Sequence, residues 1–154
     1  ALDPLIRSEM QNILLDLQSE LHKTIIFITH DLDEALKIGD RIAILRDGSM
    51  VQDSDPQEII MNPADEYVSD FIKDINRARV IQAKSIMTPT NTKSSGATVK
   101  EEMVLEDILQ IMSDAPSKPV TIENSKGKVT GKIEMVNLIE GMKRPKSLGT
   151  NITG

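Results

Sequence analysis

Apolar residues recur at helical spacing over the first 21 positions of the chain. Asp3 and Pro4 precede this run, and they are a capping residue followed by a proline suited to a first helical turn. The pattern predicts a helix over residues 4–22. Its apolar stripe consists of Leu5, Ile6, Met10, Ile13, Leu14, Leu17 and Leu21.

A short apolar block without alternation follows at residues 24–29. Such a block is typical of a parallel strand that is covered on both faces. Because this strand needs a neighbour on each side and the preceding residues supply none, we expect its neighbours to lie outside this chain.

The next segment predicts the closing edge of an α/β domain. A helix is expected over 31–38, then a strand over 40–45 and a hairpin turn at Asp47-Gly48 that leads into 49–52. Asp55, Pro56 and Glu58 are typical of a helix start, which predicts a helix over 57–61 and a further one over 65–75.

The second half of the chain predicts a β-α-β-β-α unit of about 60 residues. A Ser/Thr/Gly-rich loop at 91–98 precedes an amphipathic helix. Residues 120–123 and 128–133 flank a turn and predict a hairpin, and a last helix is expected over 134–142. The apolar side of the amphipathic helix consists of Val104, Leu105, Ile108, Leu109, Ile111 and Met112.

The two halves of the chain differ in the sign of their net charge. Residues 1–76 hold 6 Lys/Arg against 16 Asp/Glu, and residues 77–154 hold 12 against 8. The acidic first half lacks the basic face that nucleic-acid binding requires, so no nucleic-acid partner is expected.

With no Cys in the chain, disulfides, thiolate ligands and cysteine nucleophiles are excluded. The longest aliphatic or aromatic run, Ile25–Ile28, is too short to span a bilayer, which favours a cytoplasmic protein.

Several ordered motifs of the first half resemble the C-terminal third of an ABC transporter ATP-binding subunit. The tail from Asn62 to Ile72 and the segment after it are most similar to the glycine betaine/proline (osmoprotectant) importers. The matching residues are Ala1-Leu2-Asp3, Thr29-His30-Asp31, Glu34-Ala35, Asp40-Arg41-Ile42-Ala43, Gly48 and Asn62-Pro63-Ala64.

The resemblance implies roles for two residues of the first half. Asp3 would be the D-loop aspartate at the interface of two subunits, and His30 would be the switch histidine that reaches the γ-phosphate. An imidazole at the carboxyl end of a strand can donate a hydrogen bond to phosphate. From the residues alone, Asp3 is equally a helix cap, Asp31 with Glu34 favours capping, and His22 favours a terminal carbonyl or solvent.

Other elements of a transport ATPase are missing from these 154 residues. The chain has no G-x-x-x-x-G-K-[ST] loop, no ABC signature and no apolar strand that ends in Asp-Glu. The resemblance implies ATP and magnesium as cofactors of the parent subunit. We expect neither to bind this chain tightly, no metal site, and no ATP hydrolysis by the chain alone.

The second half resembles one CBS domain, a regulatory module, on Ile86-Met87-Thr88-Pro89, Lys118-Pro119-Val120 and Gly127 with Gly131. The resemblance places its regulatory residues at Gly131, Glu134 and Asn137. In CBS domains that bind adenosyl ligands, a hydroxyl and an aspartate occupy the last two positions. Here Glu134 would repel phosphate, which favours a role for it at the helix dipole. Whether the module senses nucleotide, ionic strength or neither stays open.

The predicted fold class is therefore α/β: a C-terminal fragment of an ABC-type nucleotide-binding domain (residues 1–76), then a linker and one small α+β CBS-like module (77–146) and a flexible tail (147–154). The predicted partners are a second copy of the chain, a transmembrane permease subunit and anionic lipid at the inner face of the cell membrane. The alternative is a standalone dimerising CBS-type module that binds nucleotide or anionic lipid without catalysis. The basic residues available for lipid are Arg77, Arg79, Lys84, Lys93, Lys126, Lys128, Lys132, Lys143, Arg144 and Lys146.

Overall fold

The computed structural model describes residues 3–143 of the chain, in which helices and short strands alternate. The helices are α1 Pro4–Leu21, α2 Leu32–Ile38, α3 Pro56–Met61, α4 Glu66–Phe71, α5 Arg77–Val80, α6 Ala83–Ile86, α7 Leu105–Ser113 and α8 Met135–Met142. The strands are β1 Ile42–Arg46, β2 Ser49–Ser54, β3 Thr88–Pro89, β4 Thr98–Lys100, β5 Val120–Glu123 and β6 Val129–Ile133. A mixed α/β fold is confirmed.

Aspartate side chains begin three of the helices in the first half. The Asp31 carboxylate accepts a hydrogen bond from a backbone N–H of α2, and Asp55 and Asp65 do the same for α3 and α4. These caps satisfy amides that have no partner inside the helix. The helix predicted over 65–75 was too long, because the N–H of Ile75 bonds Ile72 three residues back and α4 gives way to turns.

The hairpin of β1 and β2 matches its prediction. Asp47 and Gly48 both have positive φ, at 50° and 77°, as the tight turn between twisted strands requires. Ile42 and Ile44 of β1 are buried on one face. The buried residues of α3 and α4, Ile59, Ile60 and Val68, belong to the same core cluster.

The strand predicted over residues 24–29 is wrong for this structure. No regular element is present between α1 and α2, and Ile26 and Ile28 are 87% and 92% exposed. A strand exists only when its backbone groups pair with a neighbour. Within residues 3–143, the strands that form pair in two other sheets, so this segment has no strand beside it.

The second sheet is built by the C-terminal half and has the strand order β3-β6-β5-β4. Strands β4 and β5 are parallel and are joined through α7, whereas β5 and β6 form the predicted antiparallel hairpin. The order β4-α7-β5-β6-α8 agrees with the predicted β-α-β-β-α order, although β4 begins at the end of the loop predicted over 91–98, and β3 is a further edge strand. The core of this half includes Leu105, Ile108, Met112, Val120, Ile122, Ile133 and Leu138, each at most 2% exposed.

Two polar side chains connect the halves around α3. The Arg77 guanidinium donates to the carbonyls of Ile60, at the end of α3, and Gly141, at the end of α8. Gln57 donates to the Val80 carbonyl and accepts from the Gln82 amide. Burial lowers the pKa of Arg77. A cation at two helix C-termini is electrostatically favourable, so Arg77 ties α3 to α8.

No helix within residues 3–143 has the length and hydropathy needed to cross a bilayer. The tail predicted for residues 147–154 lies outside the described residues. The boundary at residue 76/77 stays a prediction.

Candidate functional site

His30 lies in the short connection between α1 and α2, and polar contacts join these two helices beside it. Arg7 of α1 forms an ion pair with Asp31 at 3.0 Å. Gln11 of α1 donates to the Glu34 carboxylate at 2.9 Å, and Lys37 donates to Gln11 at 3.0 Å. Polar side chains therefore link α1 to α2, although α1 carries an apolar stripe.

The residues on both sides of His30 are hydrogen-bonded. The Thr29 hydroxyl donates to Glu34 Oε2 at 2.6 Å and accepts from the Asp31 amide at 3.0 Å. Asp31 Oδ1 in turn accepts from the Glu34 amide at 3.2 Å. The bonds from Thr29 and, to a smaller extent, Gln11 lower the pKa of Glu34, because they stabilise its charged form.

The two predicted site residues of the first half lie on the surface. The side chain of His30 is exposed, and Asp3 is exposed directly before α1, where its carbonyl accepts from the Arg7 amide. The first turn of α1 is linked to the His30 connection through Arg7 and Asp31. Sequence reasoning assigned no role to Arg7, Gln11 or Thr29. The spacing of Arg7 and Gln11, four residues apart on one helix face, was the available signal.

The described residues do not by themselves fit magnesium and ATP. Between Asp3 and Lys143, no group of three or more His, Cys, Asp or Glu side chains is placed to share a metal ion. The 154-residue sequence also lacks the glycine-rich loop that holds phosphates. His30 is an exposed imidazole, a group that can donate a hydrogen bond to a ligand oxygen.

Of the three predicted CBS residues, Glu134 and Asn137 lie at the start of α8, and Gly131 lies on the preceding strand β6. Gly131 is buried on β6, and a Cβ at this position would approach the Met87 sulfur to 2.5 Å. The Asn137 side chain accepts from the Glu134 amide at 2.8 Å, and Glu134 pairs with Lys132 at 2.7 Å. Glu134 directly precedes α8, and its expected role at the helix dipole stays a prediction.

One concave region of the structure lies beside Glu134, and another lies apart from His30 and Asp3. A pocket of about 400 Å³ is lined by Pro116, Pro119 and Glu134. A cleft of about 950 Å³ lies between α2, α3 and the α5–α6 segment, with Lys37, Asp55 and Arg79 among its lining residues. Neither His30 nor Asp3 lines this cleft, so it is separate from the predicted phosphate contact.

Comparison with known proteins gives consistent matches to transport ATP-binding proteins, although no protein-family model matches the chain. The glycine betaine/carnitine transport ATP-binding protein of Listeria monocytogenes is 61% identical over 87 residues, which are 56% of this chain and 22% of the relative. The trimethylamine N-oxide transport system ATP-binding protein of Pelagibacter ubique is 44% identical over 128 residues, 82% of this chain and 38% of the relative. The choline transport ATP-binding protein of Bacillus subtilis is 34% identical over 157 residues, 99% of this chain and 40% of the relative.

This chain is homologous to ABC transporter ATP-binding subunits. The resemblance drawn from the residues around Asp3, His30 and Asn62 is thereby confirmed. The chain spans between 22% and 40% of the length of the three relatives described. The roles of individual residues and the CBS resemblance remain predictions.

Proposed function

We propose that this chain is part of an ATP-binding subunit that drives uptake of glycine betaine-type osmoprotectants. The similarity along 99% of the chain to a choline transport ATP-binding protein supports this function most directly. The relatives of higher identity are named for glycine betaine and carnitine or for trimethylamine N-oxide. All four solutes carry a quaternary ammonium or amine oxide group, which favours this substrate class.

In this proposal, His30 donates a hydrogen bond to the γ-phosphate and Asp3 lies at the interface with a second subunit. The exposed imidazole and the hydrogen bonds on both sides of it support the role of His30. ATP and magnesium would be held mainly by residues outside this chain. A transmembrane permease would complete the importer at the inner face of the cell membrane.

The test uses the complete subunit and its permease in proteoliposomes, with ATP hydrolysis and betaine uptake as readouts. His30→Asn is expected to reduce turnover at least a hundredfold, since a misplaced or lost phosphate contact affects the transition state. His22→Asn is the matched control, because His22 is the other histidine of the chain and has a φ of 49° that Asn tolerates. Equal turnover in the two variants would contradict the role of His30, and absent betaine uptake by the wild type would contradict the function.

The C-terminal half is proposed to be a CBS-like regulatory module that pairs with a second copy. The order of its sheet and the exposed apolar residues on α7 and α8, Leu109, Ile111, Val136 and Ile139, support this. Light scattering should give a dimer that Ile139→Asp disrupts and Lys93→Asp does not. A monomer at high micromolar concentration would contradict it.

Binding of anionic lipid is the second proposed property of this module. Lys126 and Lys128 in the exposed hairpin turn support it, whereas Lys93 and Lys132 are paired with Glu123 and Glu134. Co-sedimentation with anionic vesicles should fall with salt and with Lys126→Ala/Lys128→Ala. Equal binding to neutral vesicles would contradict it.

A further inference from the structure

His30 is exposed, but the residues on both sides of it are held by several hydrogen bonds. The Thr29 hydroxyl is used twice, as a donor to Glu34 Oε2 at 2.6 Å and as an acceptor from the Asp31 amide at 3.0 Å. These bonds connect residues on either side of His30, because Thr29 precedes it in the chain and Asp31 and Glu34 follow it. We call Thr29, Asp31 and Glu34 the loop clamp.

The loop clamp is also attached to α1. The second carboxylate oxygen of Glu34 accepts from Gln11 at 2.9 Å, and the second oxygen of Asp31 pairs with Arg7 at 3.0 Å. The Glu34 carboxylate therefore bonds both the loop and α1, and the Asp31 carboxylate bonds both the first turn of α2 and α1. Because the pKa of Glu34 is lowered, its bonds are charge-assisted at neutral pH.

We infer that Thr29 and Glu34 are positioning residues that hold the backbone of His30 in one conformation and thereby set the direction of its imidazole. This inference rests on the proposed role of His30 as a phosphate contact. Neither residue is assigned a contact with the phosphate in this inference. Thr29 acts on His30 as its neighbour in the chain, and Glu34 acts through its bond to the Thr29 hydroxyl.

The first experiment tests the clamp in the 154-residue chain, without nucleotide. NMR relaxation reports the backbone order at residue 30, and the Cε1–H signals report the two imidazoles, with His22 as the internal control. In Thr29→Val, we expect the order parameter of residue 30 to fall from about 0.85 to below about 0.6, and only the His30 signal to shift. Thr29→Ser keeps the hydroxyl and should restore both values.

Thr90→Val is the matched control for the loss of a hydroxyl. The Thr90 hydroxyl accepts from the Thr92 amide two residues ahead, as Thr29 does from Asp31, but in the loop before β4. This variant should leave residue 30 unchanged. An unchanged order parameter and signal of His30 in Thr29→Val would overturn the inference.

The second experiment measures ATP hydrolysis by the complete subunit with its permease. Thr29→Val and Glu34→Ala are expected to lower kcat about tenfold or more, with KM for ATP within about twofold, because a displaced group loses transition-state contact and not ground-state binding. Thr29→Ser and Glu34→Gln keep an oxygen at the contact and should recover most of kcat.

The outcomes separate this inference from the proposed function. If His30→Asn keeps full turnover, the proposed role of His30 is wrong, and the NMR result alone decides whether the clamp exists. If His30→Asn is inactive but Thr29→Val and Glu34→Ala retain wild-type kcat, the positioning role is overturned. A rise of KM without a fall in kcat would overturn it as well.

Discussion

Residues 3–31 and residues 98–142 both carry apolar runs at helix or strand spacing, but they meet different surroundings. In the C-terminal region, Ile108, Ile122 and Leu138 pack into one core and are fully buried. In the N-terminal region, Ile6, Met10, Ile13, Leu17 and Leu21 of α1 and the segment 25–28 are exposed, and α1 is joined to α2 by Arg7 and Gln11. The difference teaches that an apolar pattern marks residues suited to burial, whereas a strand forms only beside a partner.

The largest expected difference is between Ile122→Ala and Ile28→Ala. Ile122 is fully buried, so its truncation leaves a cavity and should lower the free energy of unfolding by about 3 kcal/mol. Ile28 is 92% exposed, and its truncation should change that free energy by less than about 0.5 kcal/mol. Urea denaturation followed by circular dichroism measures both. If Ile28→Ala lowered the free energy of unfolding as much as Ile122→Ala, the expected difference between the two regions would be contradicted.

Arg77→Ala tests the connection between the two halves. The carbonyls of Ile60 and Gly141 would lose their donor, which is expected to cost about 2 kcal/mol in urea denaturation. Arg79→Ala is the control, because its ion pair with Glu106 is exposed and should contribute less than about 1 kcal/mol. Equal effects of the two variants would show that Arg77 does not act as a connection.

Asn137→Ala tests whether the side-chain hydrogen bond at the start of α8 stabilises this helix. Loss of the bond from the Glu134 amide to the Asn137 side chain should destabilise the chain by about 1 kcal/mol, as for other helix caps. Asn91→Ala, in an exposed loop, should have little effect. Both are measured by urea denaturation. An effect of Asn137→Ala no larger than that of Asn91→Ala would indicate that the cap does not stabilise α8.

The smallest expected effect is the pH dependence of the contact between α1 and α2. The pKa of Glu34 is lowered in the folded chain, so its stabilisation is present above its ordinary value near 4.5 and is lost as the pH falls through the lower folded value. Amide hydrogen exchange in α2, measured from pH 6 to pH 3, should accelerate below about pH 4.5 relative to Glu34→Gln, after correction for intrinsic rates. Parallel profiles in the two proteins would exclude this contribution.

The hairpin of β5 and β6 and the hairpin of β1 and β2 were predictable from the sequence because their partners are close along the chain. The turn residues Asp47 and Gly48 determine the first hairpin, and the 124–127 turn determines the second. The two-residue strand β3 was not predicted. It pairs with residues 131–132, more than forty positions later, and a strand of that length has no periodicity.

The candidate site was only partly predictable. His30 followed from the resemblance, and the capping role of Asp31 followed from the residue order. The double use of the Thr29 hydroxyl could not be inferred, since a threonine at the end of an apolar block is also typical of a strand. The contacts of Gln11 depend on the packing angle between α1 and α2, which sequence spacing does not specify.

The two outer strands of the C-terminal sheet have a consequence for behaviour at high concentration. Strand β3 is two residues long and contains Pro89, which has no amide hydrogen to offer, and β4 at the other side is three residues long. Edge strands this short offer an extended peptide few backbone groups for pairing, so this sheet is a poor template for fibril growth. Self-association of the chain is then expected to proceed through side-chain surfaces, and the resulting aggregates should bind little thioflavin T.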